Sequence, residues 1–204
     1  VYQLLFVLVA EERGVLMYPE GEAKPAARDT YTSHYSMRRL RELSRVQAGS
    51  AHPDLWRQLR LVLGALGSTE GEAALALPPL GGQLFAPTVT ADIGGAELSN
   101  AHLLEAFRDL CFVKGDGGGY TAVDYRNRGA EELGSVYESL LELHPAVSIP
   151  NRRFTVDVAA GNERKTTGAY YTPTQLISQL CDTALEPVLI QAMAAEDPEA
   201  GLLA

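Results

Sequence analysis

The chain has 204 residues, of which 46% are hydrophobic, and its formal net charge is −9 at pH 7. This composition is typical of one globular domain, or of a domain with a piece of another, and it excludes wholesale disorder. The acidic balance argues against this chain being the main nucleic-acid surface of a larger protein, because DNA affinity depends on cations that displace counterions from phosphates.

The chain opens with an apolar run that is too short to span a bilayer. Residues 1–10 are followed at once by Glu11, Glu12 and Arg13, and no positively charged segment precedes them. We therefore expect neither a membrane span nor a signal peptide, and we place the protein in the cytoplasm. Because the chain begins with a valine inside this run, it looks like a fragment of a longer protein.

Helices dominate the predicted first half. The predicted boundaries are residues 1–17 for the first helix, 20–32 for a polar loop, 36–46 for the second helix, and Pro53-Asp54 to Gly67-Ser68 for the third. The third helix has an apolar stripe that indicates one buried face. The stripe consists of Leu55, Leu59, Val62, Leu63 and Leu66. Trp56 is expected to pack between helices.

The middle of the chain combines a loop, a helix and a turn. Residues 77–82, Leu-Pro-Pro-Leu-Gly-Gly, exclude regular helix or strand and predict an ordered loop. Ser99 or Asn100 is predicted to cap a helix that runs through Leu110. We interpret the glycine cluster at residues 115–119 as a turn, because a phosphate-binding loop needs a preceding strand and a following helix.

Short strands and one further helix follow. Residues 120–123 are predicted to form a strand, and residues 154–158 alternate as a short half-buried strand that is a candidate to pair with residues 120–125. The helix between them has its own apolar stripe. It consists of Leu133, Val136, Tyr137, Leu140 and Leu141.

No complete active site is visible in the sequence. The histidines are isolated from other metal-ligating residues, and the nucleophile motif G-x-S-x-G does not occur. These histidines are His34, His52, His102 and His144. The neighbouring carboxylates Glu11 and Glu12 point to different helix faces, which predicts solvated charges rather than an acid–base couple. We predict no catalytic residue and no metal ligand.

Cysteines and arginines are also interpreted structurally. Cys111 and Cys181 are far apart, which favours a reducing compartment, and both fall on apolar helix faces, which predicts burial. The basic clusters are interpreted mainly as solvated faces. They comprise Arg38, Arg39, Arg41 and Arg45, then Arg126 and Arg128, and finally Arg152, Arg153, Arg164 and Lys165.

The junction near residue 172 is the most informative feature for function. Thr172 is predicted to be the N-cap of an amphipathic helix, with Pro173 at the first helical position and Gln175 closing a capping box. Its predicted buried stripe consists of Leu176, Ile177, Leu180, Cys181, Ala184 and Leu185. We therefore expect this helix to dock on a larger structure, and its free N–H groups to suit a carboxylate or phosphate.

Two blocks of sequence resemble a known family. The first reads Arg164-Lys165-Thr166-Thr167-Gly168-Ala169-Tyr170-Tyr171-Thr172-Pro173. It resembles the segment that opens the methyltransferase domain of adenine-specific DNA methyltransferases of the type IIG restriction–modification enzymes and of phage-defence systems such as BREX and DISARM. The second block, Val123-Asp124-Tyr125-Arg126 with residues 129–142, is similar to the helix that precedes this opening in the same bacterial proteins.

This resemblance implies a cofactor and a set of residues that bind it. The family uses S-adenosylmethionine, and its Tyr-Thr-Pro element contributes to binding this cofactor, so the role is implied for Tyr171, Thr172 and Pro173. By the same analogy, Tyr170 and Gly168 shape the site. The family's Asn/Asp-Pro-Pro-aromatic motif and glycine-rich turn do not occur here, so the resemblance implies that this piece alone is inactive.

The expected architecture is mainly α, with a small two-stranded β element and, at its end, the first helix of an α/β methyltransferase domain. Residues 1–150 are expected to form a helical connector domain, and residues 151–204 the truncated start of the methyltransferase domain. The parent protein would methylate adenine in double-stranded DNA, and its expected partners are nuclease or specificity modules. The alternative is a non-catalytic helical scaffold that joins a nuclease or helicase to a target-recognition module.

Overall fold

The computed structural model describes residues 1–93, 95–115, 118–127, 129–158 and 172–193. The chain divides into two units, Val1–Asn127 and Arg128–Ala204. Helices make up most of the described residues, so the prediction of a mainly α chain is confirmed. Within these ranges no helix is both long enough and apolar enough to cross a membrane.

The first unit begins with helix α1, Tyr2–Glu12, which is buried along Val7–Ala10 on all its faces. It ends five residues before the predicted boundary. Gly14 adopts a left-handed conformation with φ 71°, and its N–H donates to the Glu11 carbonyl at 3.0 Å. A glycine in this conformation terminates a helix, because a side chain there would be strained.

Helix α2, Pro25–Thr30, lies in the segment predicted to be a loop, so that prediction is wrong. The polar composition of this segment favoured a loop, but Pro25 occupies the first helical position, where a proline is compatible with a helix. A π-helical turn, Tyr31–Tyr35, continues it, and its first residue, Tyr31, is buried. The hydroxyls of Thr30 and Thr32 both donate to carbonyls four residues earlier, a pattern that distorts helices.

Helices α3, Met37–Val46, α4, Asp54–Gly67, and α5, Asn100–Cys111, match their predicted positions closely. Together with α1 they enclose the core of the first unit, with α3 packed on α1 and α5, and α4 packed on α5. Most of the predicted stripe of α4 is buried, and Leu63 is half-buried. Burial of a leucine or valine of this kind contributes about 1.5–3 kcal/mol.

One buried amide holds the starts of α4 and α5 together. The Asn100 side-chain oxygen accepts from the Leu55 N–H at 3.1 Å, and its amide nitrogen donates to Asp54 at 2.8 Å and to the Ser50 hydroxyl at 3.2 Å. Ser99 caps α5 by accepting from the His102 N–H, as predicted. Because an unpaired buried amide would be costly, these three bonds fix how the two helices meet.

In the described ranges, two antiparallel hairpins replace the single β element that was predicted. Strand β1, Phe112–Lys114, pairs with β2, Tyr120–Ala122, and between them the Gly118 N–H donates to the Gly115 carbonyl. In the second unit, β3, Leu143–Ser148, pairs with β4, Arg153–Val158. The predicted pairing of residues 154–158 with residues 120–125 is therefore wrong. Short loops favour local pairing, since closing them costs less entropy.

The described parts of the second unit bury few side chains. Helix α6, Ala130–Leu141, precedes β3, and helix α7, Thr174–Leu180, continues through a π-helical turn, Cys181–Leu185, into helix α8, Glu186–Met193. The strand β4 was predicted to be half-buried, but Phe154 and Val156 are exposed. Cys181 is exposed as well, against prediction, whereas Cys111 is buried as predicted.

Candidate functional site

The five cofactor-binding residues implied by the sequence are only partly within the described ranges. Gly168, Tyr170 and Tyr171 lie outside them. Thr172 and Pro173 are described, and both are exposed at the start of α7. The cofactor role of all five stays a prediction.

The start of α7 differs from the predicted cap. Pro173, not Thr172, is the N-cap, and its carbonyl accepts from the Leu176 N–H at 2.9 Å and the Ile177 N–H at 3.3 Å. No side-chain hydrogen bond caps the helix, so the predicted capping box with Gln175 is wrong. The proline ring fixes φ but leaves ψ free, and ψ is 137° here, which keeps Pro173 outside the helix.

The predicted apolar stripe of this helical run is exposed rather than buried. The exposed large apolar side chains of residues 174–193 are Leu176, Ile177, Leu180, Leu185, Val188, Leu189, Ile190 and Met193. Ala192 is buried. A continuous apolar surface of this kind marks an interaction site in soluble proteins, so the docking of this helix stays a prediction.

The first unit contains a polar pocket of ≈ 480 Å³ that the sequence did not predict. It opens between α1 and α3, and Arg126 borders it as well. Its lining residues are Glu11, Glu12, Met17, Tyr31, Thr32, Ser36, Arg38, Arg41, Glu42 and Arg126. A volume of this size falls within the range of small-molecule sites.

Glu11 reaches across the pocket and caps the start of α3. One carboxylate oxygen accepts from the Tyr31 hydroxyl at 2.7 Å and the Met37 N–H at 2.8 Å, and the other accepts from the Arg38 N–H at 2.7 Å. Ser36 accepts from the next donor, the Arg39 N–H, at 3.2 Å. All three N–H groups of the first turn therefore have an acceptor, two of them on a distant helix.

Burial shifts the acid–base behaviour of this cluster. Burial raises the pKa of the Glu11 carboxyl above its ordinary value, although the hydrogen bonds from Tyr31, Arg38 and Met37 act in the opposite direction. Burial, helped by the Glu11 carboxylate, raises the pKa of the Tyr31 hydroxyl too. Tyr31 therefore stays protonated and donates to Glu11.

Glu12 has a different partner on the same wall. It forms an ion pair with Arg41, and both side chains are about three-quarters covered, at 25% and 20% exposure. The Arg41 guanidinium also lies over the Phe112 ring, 5.9 Å from its centroid. The prediction that Glu11 and Glu12 are solvated charges is wrong, because each meets a donor from a helix remote in sequence.

Two guanidinium groups that line the pocket have no side-chain partner among the described residues. Among the described residues, neither Arg38 nor Arg126 has a side-chain hydrogen bond or ion pair, although the Arg126 carbonyl accepts from Arg13 at 3.2 Å. The remaining carboxylate, Glu42, pairs with Arg45 at 3.4 Å. Glu11 and Glu12 are thus matched within the first unit, whereas the Arg38 and Arg126 guanidiniums line the pocket with no partner in the described part of the chain.

A second cavity, of ≈ 440 Å³, is mainly apolar. It lies beside α1 and α4, where Phe6 and Phe85 meet edge to face at 5.5 Å. Trp56, which was expected to pack between helices, borders this cavity. Its ring N–H donates to the Ala96 carbonyl at 2.8 Å. Arg60 is the only charged side chain among the described residues that line it.

Metal-ligand clusters and thiols are two kinds of group that often carry chemistry. Among the described residues, no group of three or more His, Cys, Asp or Glu side chains could hold a metal ion. The Cys111 thiol is a poor nucleophile, since burial raises its pKa to about 11; Arg41 has a smaller lowering effect on this pKa, and Glu12 a smaller raising effect. No protein-family model, curated protein or solved structure matches the chain.

Proposed function

We propose that this chain is part of an S-adenosylmethionine-dependent DNA adenine methyltransferase of a bacterial restriction–modification or phage-defence system. It contributes the helical region and the first element of the methyltransferase domain. The catalytic residues that hold and methylate the flipped adenine belong to the parent protein, and double-stranded DNA is the substrate of that protein.

The observation that carries this proposal is the order of two linked sequence blocks. The block around Tyr125, with residues 129–142, precedes the block at residues 164–173. A single short motif of this kind has a high false-positive rate, whereas two in the family's order are more specific. Helix α6 occupies residues 130–141, in agreement with the helical character that the resemblance implies for the block with residues 129–142.

Two structural features support the same proposal. The Thr172 side chain is exposed and does not cap α7, so its hydroxyl is free to meet a cofactor. The run from α7 to α8 exposes apolar side chains along its length, which suits a helix that packs on a further layer of the parent domain.

The cofactor role of Thr172 is tested by titration calorimetry of the parent protein with S-adenosylmethionine. Thr172→Ala should weaken binding roughly 3–10-fold, the effect of one lost hydrogen bond. Ser178→Ala is the matched control, because it removes an exposed hydroxyl from the same helical run and should leave the affinity unchanged. Equal affinities for the wild type and Thr172→Ala would overturn the assigned role.

A non-catalytic scaffold is the second candidate. It is favoured by the way the first unit uses its polar groups, since Glu11, Asn100 and Arg41 all join helices to one another. Transfer of a labelled methyl group to duplex DNA separates the candidates. Incorporation by the parent protein supports the methyltransferase, and its absence from a protein that still binds a nuclease or helicase partner supports the scaffold.

A further inference from the structure

We propose that the polar pocket between α1 and α3 binds a phosphate group, which Arg38 and Arg126 contact directly. The pocket is lined by residues of the first unit and shares no residue with the predicted cofactor set, so the proposal does not depend on the proposed methyltransferase function. The phosphate belongs either to a small free ligand or to the backbone of a nucleic acid.

The first step of the argument is the charge balance of the lining. Its three carboxylates are each engaged: Glu11 accepts three hydrogen bonds, Glu12 pairs with Arg41, and Glu42 pairs with Arg45. Arg38 and Arg126 are not engaged through their side chains by any described residue. Glu11 and Glu12 are thus matched by close partners, and Glu42 has an exposed pair with Arg45, whereas the Arg38 and Arg126 guanidiniums line the pocket with no partner among the described residues.

The second step concerns the chemistry of the ligand. A guanidinium offers a planar set of donors that matches two oxygens of a phosphate or carboxylate. Two such groups facing one pocket match a dianionic phosphate better than a monoanionic carboxylate. Tyr31 is the aromatic residue among the described residues that line the pocket, and its ring is buried while its hydroxyl donates to Glu11. The described lining therefore offers no exposed aromatic ring on which a nucleic-acid base could stack.

The third step concerns rigidity. The backbone that places Arg38 is held by Glu11, and the backbone of Arg126 is held by Arg13, whose side chain donates to its carbonyl. In addition, the Asp124 carboxylate accepts from the Arg126 N–H at 3.1 Å. Both arginines thus stand on backbone that is already held by hydrogen bonds, so binding of an anion requires no rearrangement of the backbone.

The test uses the whole chain and two probes, inorganic phosphate and a short DNA duplex. Binding of phosphate is measured by calorimetry, and binding of a fluorescent duplex by anisotropy at several salt concentrations. Arg38→Gln and Arg126→Gln should each weaken the bound probe roughly 10-fold, because each removes a charge-assisted contact. If the duplex is the ligand, each variant should also lower the slope of log affinity against log salt by about 0.9.

The control is Lys114→Gln, which removes one exposed positive charge from β1, outside the pocket. It should leave both affinities unchanged. The thermal midpoint of both arginine variants should match that of the wild type, since neither side chain makes a contact that stabilises the fold. Phosphate binding alone identifies a small ligand, and duplex binding alone identifies a nucleic acid. Binding of neither probe, or equal losses for Lys114→Gln and the arginine variants, overturns the proposal.

Discussion

Removing the Glu11 carboxylate tests how strongly α1 and α3 depend on each other. Glu11→Ala leaves three donors without their acceptor: the N–H groups of Met37 and Arg38, and the Tyr31 hydroxyl. Met37 and Tyr31 are almost fully buried in the folded chain, so their donors depend on the Glu11 acceptor. Each unsatisfied buried donor costs about 1–3 kcal/mol, whereas Arg38 is exposed and costs less.

The expected loss of stability is about 3 kcal/mol, since two buried donors are lost and the desolvation of the carboxylate is relieved. Glu42→Ala is the control, because its ion pair with Arg45 is exposed and contributes about 0.5 kcal/mol or less. Urea unfolding followed by circular dichroism measures the free energy of unfolding of both variants. An unchanged slope m would show that each variant exposes as much surface on unfolding as the wild type does. If Glu11→Ala unfolds at the same midpoint as Glu42→Ala, the capping role is refuted.

The pH dependence gives a second measurement on the same group. Burial raises the pKa of the Glu11 carboxyl, so the folded state binds its proton more tightly than the unfolded state does. This contribution to stability is fully present below the ordinary pKa of 4.5 and is lost as pH rises through the folded value. The stability of the wild type relative to Glu11→Gln should therefore fall over this range. A difference that rises with pH would contradict the assigned direction.

Two further predictions concern a glycine and the thiols. Gly49 has φ 84°, and an added Cβ would lie 2.6 Å from the backbone of Ala101, so Gly49→Ala should cost about 3 kcal/mol in urea unfolding. Gly14→Ala has a similar φ but open space, so it should cost only about 1 kcal/mol, and equal costs would disprove the steric argument. In a thiol titration with a disulfide reagent, Cys181 should react at once and Cys111 only after unfolding. Rapid labelling of both thiols in the native protein would contradict the burial of Cys111. Because burial raises the pKa of the Cys111 thiol to about 11, the stability contributed by the protonated thiol is present below pH 9 and is lost as pH rises through 11.

Local chemistry explains what the sequence predicted correctly. Ser99 lies directly before an apolar helix and caps it through a hydrogen bond to the N–H three residues later, as predicted. Such capping signals depend on residues that are neighbours in the chain, so they can be predicted without knowledge of the tertiary structure. The same holds for the loop at residues 77–82, where prolines and glycines exclude regular structure.

The pocket could not be predicted, because its contacts join residues far apart in sequence. Glu11 meets Met37 and Arg38 across 26 and 27 positions, and Arg126 is further still. Adjacent glutamates on a helix read as solvated charges unless the opposing helix is known. A weak signal did exist: Glu11 directly follows the continuous apolar run at residues 4–10, which favours a helix buried on every side whose polar end meets protein.

The helix start at residue 173 shows a different limit. Thr172, Pro173 and Gln175 satisfied the sequence rules for a capping box, yet the helix begins one residue later and without a side-chain cap. Proline is compatible with both the last extended residue and the first helical one, since its ring fixes φ alone. Because the start of the helix is shifted by one residue, the Thr172 hydroxyl, which was predicted to cap the helix, makes no capping hydrogen bond.

The amide at position 100 sets a narrow limit on what evolution or an engineer can place there. Its short side chain supplies one acceptor and two donors at once, to Leu55, Asp54 and Ser50. Aspartate has nearly the same shape but no donor, and it would face the Asp54 carboxylate; leucine fills the space but offers neither function. Asparagine is the one standard residue that satisfies all three neighbours, so tolerance to substitution should be lower here than at any purely apolar position of the same size.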